Sequence, residues 1–128
     1  MKVDGGVGWD LATVAAQAQE LEEMGYSGIM TAETSHDPFL PLAFAAQETS
    51  RVDLMTGIAV AFARTPMILA NIGHDLNAAS NGRFVLGLGS QIRAHITKRF
   101  SMPWSHPAAR MREFILAMRA IWANWYQG

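Results

Sequence analysis

Cysteine is absent from the 128 residues. Disulfides, thiolate metal sites and iron–sulfur ligation are therefore excluded, and a reducing, cytoplasmic setting is the expectation. No uninterrupted apolar run approaches the ~18 residues of a membrane span, so no membrane partner is expected. Met1-Lys2-Val3-Asp4 opens the chain without a secretory signal, because Asp4 interrupts any apolar segment. The phosphate-binding Gly-Lys-Ser/Thr signature is missing. Ile92 stands where a dinucleotide fingerprint running from Gly87 would need its third glycine. The histidines His36, His74, His95 and His106 are too scattered for a zinc-peptidase pair, and no metal site is expected.

What is present is half hydrophobic, with a formal net charge of −1. That suffices for a single domain over residues 1–128 with a core of its own. Four strand–helix units follow one another. Lys2–Val7 reads as a strand, and Asp10 as the N-cap of a helix carrying Leu11, Val14, Ala18 and Leu21, which Gly25 closes. Tyr26–Ala32 is the second strand, with Glu33 at its carboxyl end and a small-residue helix around Leu42–Thr49. Val52–Ala61 is the third, and Thr65-Pro66 opens a helix ending at Asn81-Gly82. Phe84–Leu88 is the fourth. Pro107 then starts a helix whose apolar face is Met111, Phe114, Ile115, Met118, Ile121, Trp122 and Trp125.

Apolar strands separated by helices argue for an α/β fold with a parallel sheet. Two closures stay open: a doubly wound sheet, or part of a TIM-type (β/α)₈ barrel. A whole barrel takes ~250 residues, so four units make about half of one. Such a half would expose two sheet edges, and a homo-oligomer formed through those edges is expected. Trp104, Trp122, Trp125 and Phe114 would then form an exposed aromatic patch.

Charge divides the chain. Ten acids and three bases precede Gly82; one acid, Glu113, and seven bases follow from it onward. An anionic ligand or acidic partner and ordinary solvated helix faces are both compatible with this split. Nucleic acid is not expected, because the bases lack interleaved aromatics.

An ordered set of segments carries a family resemblance. It comprises Gly25-Tyr26 with Glu33-Thr34-Ser35-His36-Asp37-Pro38, Thr56–Ala61 with Arg64-Thr65-Pro66, Ser80–Phe84, Leu86–Ser90 and Gln91–Ile96. Together they resemble the luciferase-like monooxygenases, particularly the branch dependent on the deazaflavin coenzyme F-420. The resemblance implies the amino-terminal half of a (β/α)₈ barrel. It also implies an oxidoreductase or monooxygenase acting on a small-molecule substrate with coenzyme F-420, or alternatively FMN, at the carboxyl ends of the strands. A non-proline cis peptide behind the cofactor ring would fall at Gly57–Ile58. The cofactor-binding residues would be Gly57, Ile58, Ala59, Gly89, Ser90, Gln91 and Arg93. Thr34 stands where many members of the family place a histidine, and His36 is the nearest alternative.

The residues themselves support parts of this. Small residues in Gly87–Ser90 let a backbone approach a ring or phosphate, or simply form a tight turn. Glu33, His36 and Asp37 share one strand end, where acid–base groups belong in a barrel. Glu33 and His36 are the catalytic candidates; the plainer alternative is a capping network in which Asp37-Pro38 starts the next helix. Arg93, His95, Lys98 and Arg99 would meet an anionic group or lie as a solvated loop.

Overall fold

The structure is a computed structural model and describes residues 1–127. Strand–helix alternation is observed throughout: β1 (Asp4–Gly6), α1 (Val14–Glu23), β2 (Gly28–Thr31), α2 (Phe39–Glu48), β3 (Asp53–Thr56), β4 (Ala59–Val60), α3 (Pro66–Ala79), β5 (Phe84–Val85), β6 (Leu88–Gly89) and α4 (Pro107–Gln127). The chain packs as two compact units. One is Met1–Ala59 with Gly73–Leu88; the other is Val60–Ile72 with the residues from Gly89 on.

The first unit holds a four-stranded sheet in the order β1-β2-β3-β5, every neighbouring pair parallel. Register decides its faces. Ile29 pairs with Leu54, and Leu54 with Phe84. Side chains alternate along a strand, so these three share a face with Gly5, Thr31 and Thr56. On that face Ile29 and Leu54 join Ala18, Leu42, Ala45, Ala46 and Val52 in one buried cluster with α1 and α2. The opposite face carries Asp4, Gly6, Gly28, Met30, Met55 and Val85, of which Asp4, Gly6, Met30 and Val85 remain exposed.

Helix ends follow their sequence signals. Gly25 (φ 90°) closes α1 while the Gly25 and Tyr26 amides return to Glu22 and Leu21 carbonyls. Asn81 (φ 55°) does the same for α3, with Asn81 and Gly82 amides on Ala78 and Asn77. The Thr65 hydroxyl accepts the Ile68 amide at 3.2 Å at the start of α3.

Several expectations need correction. Helix α1 begins at Val14, not next to Asp10, whose carboxylate instead turns the chain by accepting the Ala12 amide at 3.0 Å. Helix α2 begins at Phe39, because Asp37 accepts the Phe39 and Leu40 amides at 2.7 and 2.9 Å. The third strand is split into β3 and β4 by Gly57-Ile58, and the fourth into β5 and β6. His95–Arg99 is a turn of π-helix, not loop.

In the second unit the core forms around the buried ring of Phe62. Trp104 and Phe114 lie against it at centroid distances of 6.1 and 6.4 Å, and the Arg110 guanidinium sits 4.3 Å from its centroid. The indole N–H of Trp122 donates to the Ala70 carbonyl at 3.1 Å. Phe114 is thus buried and belongs to no exposed patch. Of the apolar face expected on α4, Phe114 and Met118 are buried, whereas Ile115 and Trp125 are exposed. A narrow i, i+4 stripe is enough to pack against one aromatic ring.

Candidate functional site

The carboxyl ends of β1, β2 and β3 lie side by side because the strands are parallel, and short backbone bonds lace their exits together. The Val7 amide donates to Met30 O at 3.1 Å, and the Gly57 amide to Thr31 O at 2.7 Å. Beyond the strands, the Glu33 amide donates to Ile58 O at 3.1 Å, and the Ala59 amide to Gly87 O at 2.8 Å. The first unit therefore brings Glu33, Ile58 and Ala59 into one network with Gly87.

Two glycines at these exits are there for want of space. A Cβ on Gly57 would run into the thioether of Met30, and a Cβ on Gly87 into the carbonyl oxygen of Thr56. The peptide bond between Gly57 and Ile58 is cis, as the family resemblance implied.

Two clefts open here. One, of about 300 Å³, is lined by Asp4, Gly5, Gly6, Val7, Met30, Thr31 and Ala32. The other, of about 220 Å³, is lined by Val7, Gly8, Trp9, Thr31, Ala32, Thr34, Asp37, Pro38 and Pro41. Small residues at the strand ends leave this room. Glycine and alanine beside one thioether line most of the larger cleft, with Asp4 and Thr31 as its polar members.

The two catalytic candidates differ in setting. Glu33 is buried, at 8% exposure, beside the Ile58 carbonyl. His36 is exposed and stacks on the indole of Trp9, with centroids 3.8 Å apart and planes 12° from parallel. Asp37 has the capping geometry considered above, and Thr31 Oγ1 ties the loop back by donating to Pro38 O at 2.8 Å. Trp9 was not singled out from the sequence. An exposed tryptophan just past a strand end was the available signal.

Gly89, Ser90, Gln91 and Arg93 lie in the second unit. Gln91 adopts φ 59° and its side-chain oxygen stands 3.1 Å from His95 Nδ1. Ser90 Oγ donates to Gln91 O at 3.2 Å, and the exposed Arg93 accepts the Thr97 hydroxyl on its carbonyl at 2.9 Å. Among the described residues no three His, Asp or Glu side chains gather as a metal site, and no helix is long and apolar enough to cross a membrane.

The family model for luciferase-like monooxygenases matches residues 2–127. The chain belongs to the luciferase-like monooxygenase family. An uncharacterised protein of Mycobacterium tuberculosis is 61% identical over all of this chain, which spans 38% of that relative's length. A monooxygenase from Streptomyces bottropensis superposes with a TM-score of 0.83 at 27% identity, over 96% of this chain and 43% of its own. The oxygenating constituent of 3,6-diketocamphane monooxygenase from Pseudomonas putida, solved with FMN, superposes equally well: TM-score 0.83, 17% identity, 95% of this chain and 40% of its own. The coenzyme F-420-dependent tetrahydromethanopterin reductase of Methanopyrus kandleri gives a TM-score of 0.74 at 21% identity, over 89% of this chain and 37% of its own. These last two share the fold of this luciferase-like chain, an α/β arrangement of parallel strands like that of TIM-barrel members. The chain spans about two fifths of the length of the relatives it matches.

Proposed function

We propose that this chain carries the amino-terminal half of a (β/α)₈ oxidoreductase that uses coenzyme F-420, or FMN, to act on a small molecule. The observation carrying the reading is the laced shelf at the strand exits. Thr31, Gly57 and Gly87 are fixed by backbone bonds of 2.7–2.8 Å beside a cleft of small and apolar residues. A shelf held by backbone bonds suits a planar ring, because preorganised contacts cost little to form when the ring arrives. When bound, the deazaflavin supplies hydride transfer, and FMN can also support oxygen insertion.

The chain's own residues have separate tasks in this reading. Gly57, Ile58 and Ala59 back the ring. Gly89, Ser90, Gln91 and Arg93 are the further cofactor-binding residues that the family resemblance implies, with Arg93 the cation suited to an anionic group. His36 exchanges a proton with substrate through an imidazole nitrogen. Glu33, whose backbone amide donates to the Ile58 carbonyl, is the second candidate for handling protons at this strand end. The reading also places the protein in the cytoplasm.

Equilibrium dialysis against coenzyme F-420 and FMN tests the proposal. Retention of either supports it, and retention of neither removes it. The unpaired edges β1 and β5 favour a second reading, in which the chain works by association and has no activity of its own. Retention of neither cofactor together with a stable oligomer by light scattering would favour that second reading.

A further inference from the structure

The loops after β1 and β2 each send one aromatic ring outward, and the two rings meet. Trp9 is 57% exposed and His36 is exposed as well, so burial does not hold the pair together. The stack does, at 3.8 Å between centroids. Each loop is anchored beneath its ring. The Gly8 amide donates to Gln17 Oε1 at 3.2 Å on one side, and Asp37 accepts the Phe39 amide at 2.7 Å on the other.

Trp9 also borders the 220 Å³ cleft, which His36 does not line. The indole is therefore the connection between the imidazole and the cleft. Val7, Ala32 and Pro41 give the cleft apolar walls; of its polar members Thr31, Thr34 and Asp37, the last two belong to the same loop as His36.

We infer that Trp9 is the positioning residue for His36 and that the cleft beside the pair takes a small, mainly apolar molecule bearing one hydroxyl or carbonyl oxygen. The inference rests on the proposed proton-handling role of His36. An exposed histidine in a bend samples several rotamers, and a flat indole face removes most of them. The apolar walls receive the body of the ligand, which leaves its oxygen towards the loop of His36, where a proton can be exchanged.

Histidine ring resonances of the labelled chain, with His36 assigned through His36→Gln, provide the test, and cyclohexanol is the probe. The Trp9 ring current holds the His36 proton signals upfield. Trp9→Leu releases them, and Trp9→Phe keeps part of the displacement. Cyclohexanol moves the His36 signals, and its affinity falls about two- to tenfold in Trp9→Leu and recovers in Trp9→Phe. Because Trp9 is on the surface, the variants keep their unfolding midpoint. His36 signals unchanged in Trp9→Leu would overturn the positioning role. Cyclohexanol that leaves His36 unmoved, or binds Trp9→Leu as tightly as the wild type, would overturn the cleft assignment. If neither cofactor binds, the oxidoreductase reading fails on its own, while these resonances still decide the stack and the cleft.

Discussion

Thr56, at the end of β3, and Gly87, between β5 and β6, grip each other: the Thr56 hydroxyl donates to Gly87 O at 2.8 Å and accepts the Gly87 amide at 2.9 Å. The same carbonyl also accepts the Ala59 amide at 2.8 Å. One hydroxyl thereby fixes the exit of β3 against the segment between β5 and β6, beside the proposed cofactor shelf.

Replacing Gly87 by alanine pushes a methyl group into the Thr56 carbonyl, where only backbone can give way. Urea unfolding should show a loss of about 2–3 kcal/mol. Thr56→Val keeps the shape but leaves the Gly87 amide without its partner, at a cost of about 1–3 kcal/mol.

At Gly57 the obstacle is softer, since a Cβ meets only the side chain of Met30. Gly57→Ala should leave the fold standing and push Met30 into the 300 Å³ cleft. Cofactor affinity then falls about tenfold, and Met30→Ala in the same chain restores part of it, a coupling that a double-mutant cycle reads directly. Additive effects of the two substitutions would contradict this contact.

Arg83 caps α2 from a distance. Its guanidinium donates to Val52 O at 2.8 Å, Thr49 O at 2.9 Å, Thr49 Oγ1 at 3.0 Å and Ala46 O at 3.3 Å, and Nε donates to Ser80 O at 2.7 Å. Arg83→Met should cost about 2–3 kcal/mol. Arg83→Lys should recover only a part, because a single ammonium cannot reproduce the planar fork. Full recovery by lysine would show that charge alone matters.

Glu22 gives the fold a pH dependence. Its burial raises the carboxyl pKa, but the amides of Ser50, Arg51 and Val52, with the charge of Arg51, outweigh that and leave it below 4.5. The Arg51 and Val52 amides reach Glu22 Oε2 at 2.8 and 3.0 Å. A carboxyl depressed in the folded state stabilises fully above its unfolded value and loses that contribution as pH falls through its folded value. Wild-type stability should therefore drop below about pH 4.5 more steeply than that of Glu22→Gln, which is weaker than wild type at pH 7. Parallel pH profiles for the two proteins would contradict the assignment.

Local signals were the legible ones. Gly25, Asn81-Gly82 and Thr65-Pro66 act within a turn of themselves, and each stands where the sequence placed it. Resemblance, not pattern, located the cis bond at Gly57–Ile58. What the sequence hid depends on partners far along the chain: Arg83 on α2, Glu22 on the loop before β3, Trp9 on His36. Nothing near Arg83 distinguishes it from a solvated base, and only the docking of α2 against β3 brings four of its five acceptors around it. The split of the third strand was hidden because Val52–Ala61 is rich in apolar residues, and its break falls at Gly57-Ile58.

The central claim is that a deazaflavin or flavin ring lies against Gly57–Ala59. Backbone amide resonances of the labelled chain, recorded with coenzyme F-420 and separately with FMN, test it most directly. Saturable shifts at Gly57, Ile58 and Ala59 are expected for one of the two cofactors. Spectra unchanged by both, or shifts confined to residues away from the strand ends, would contradict it.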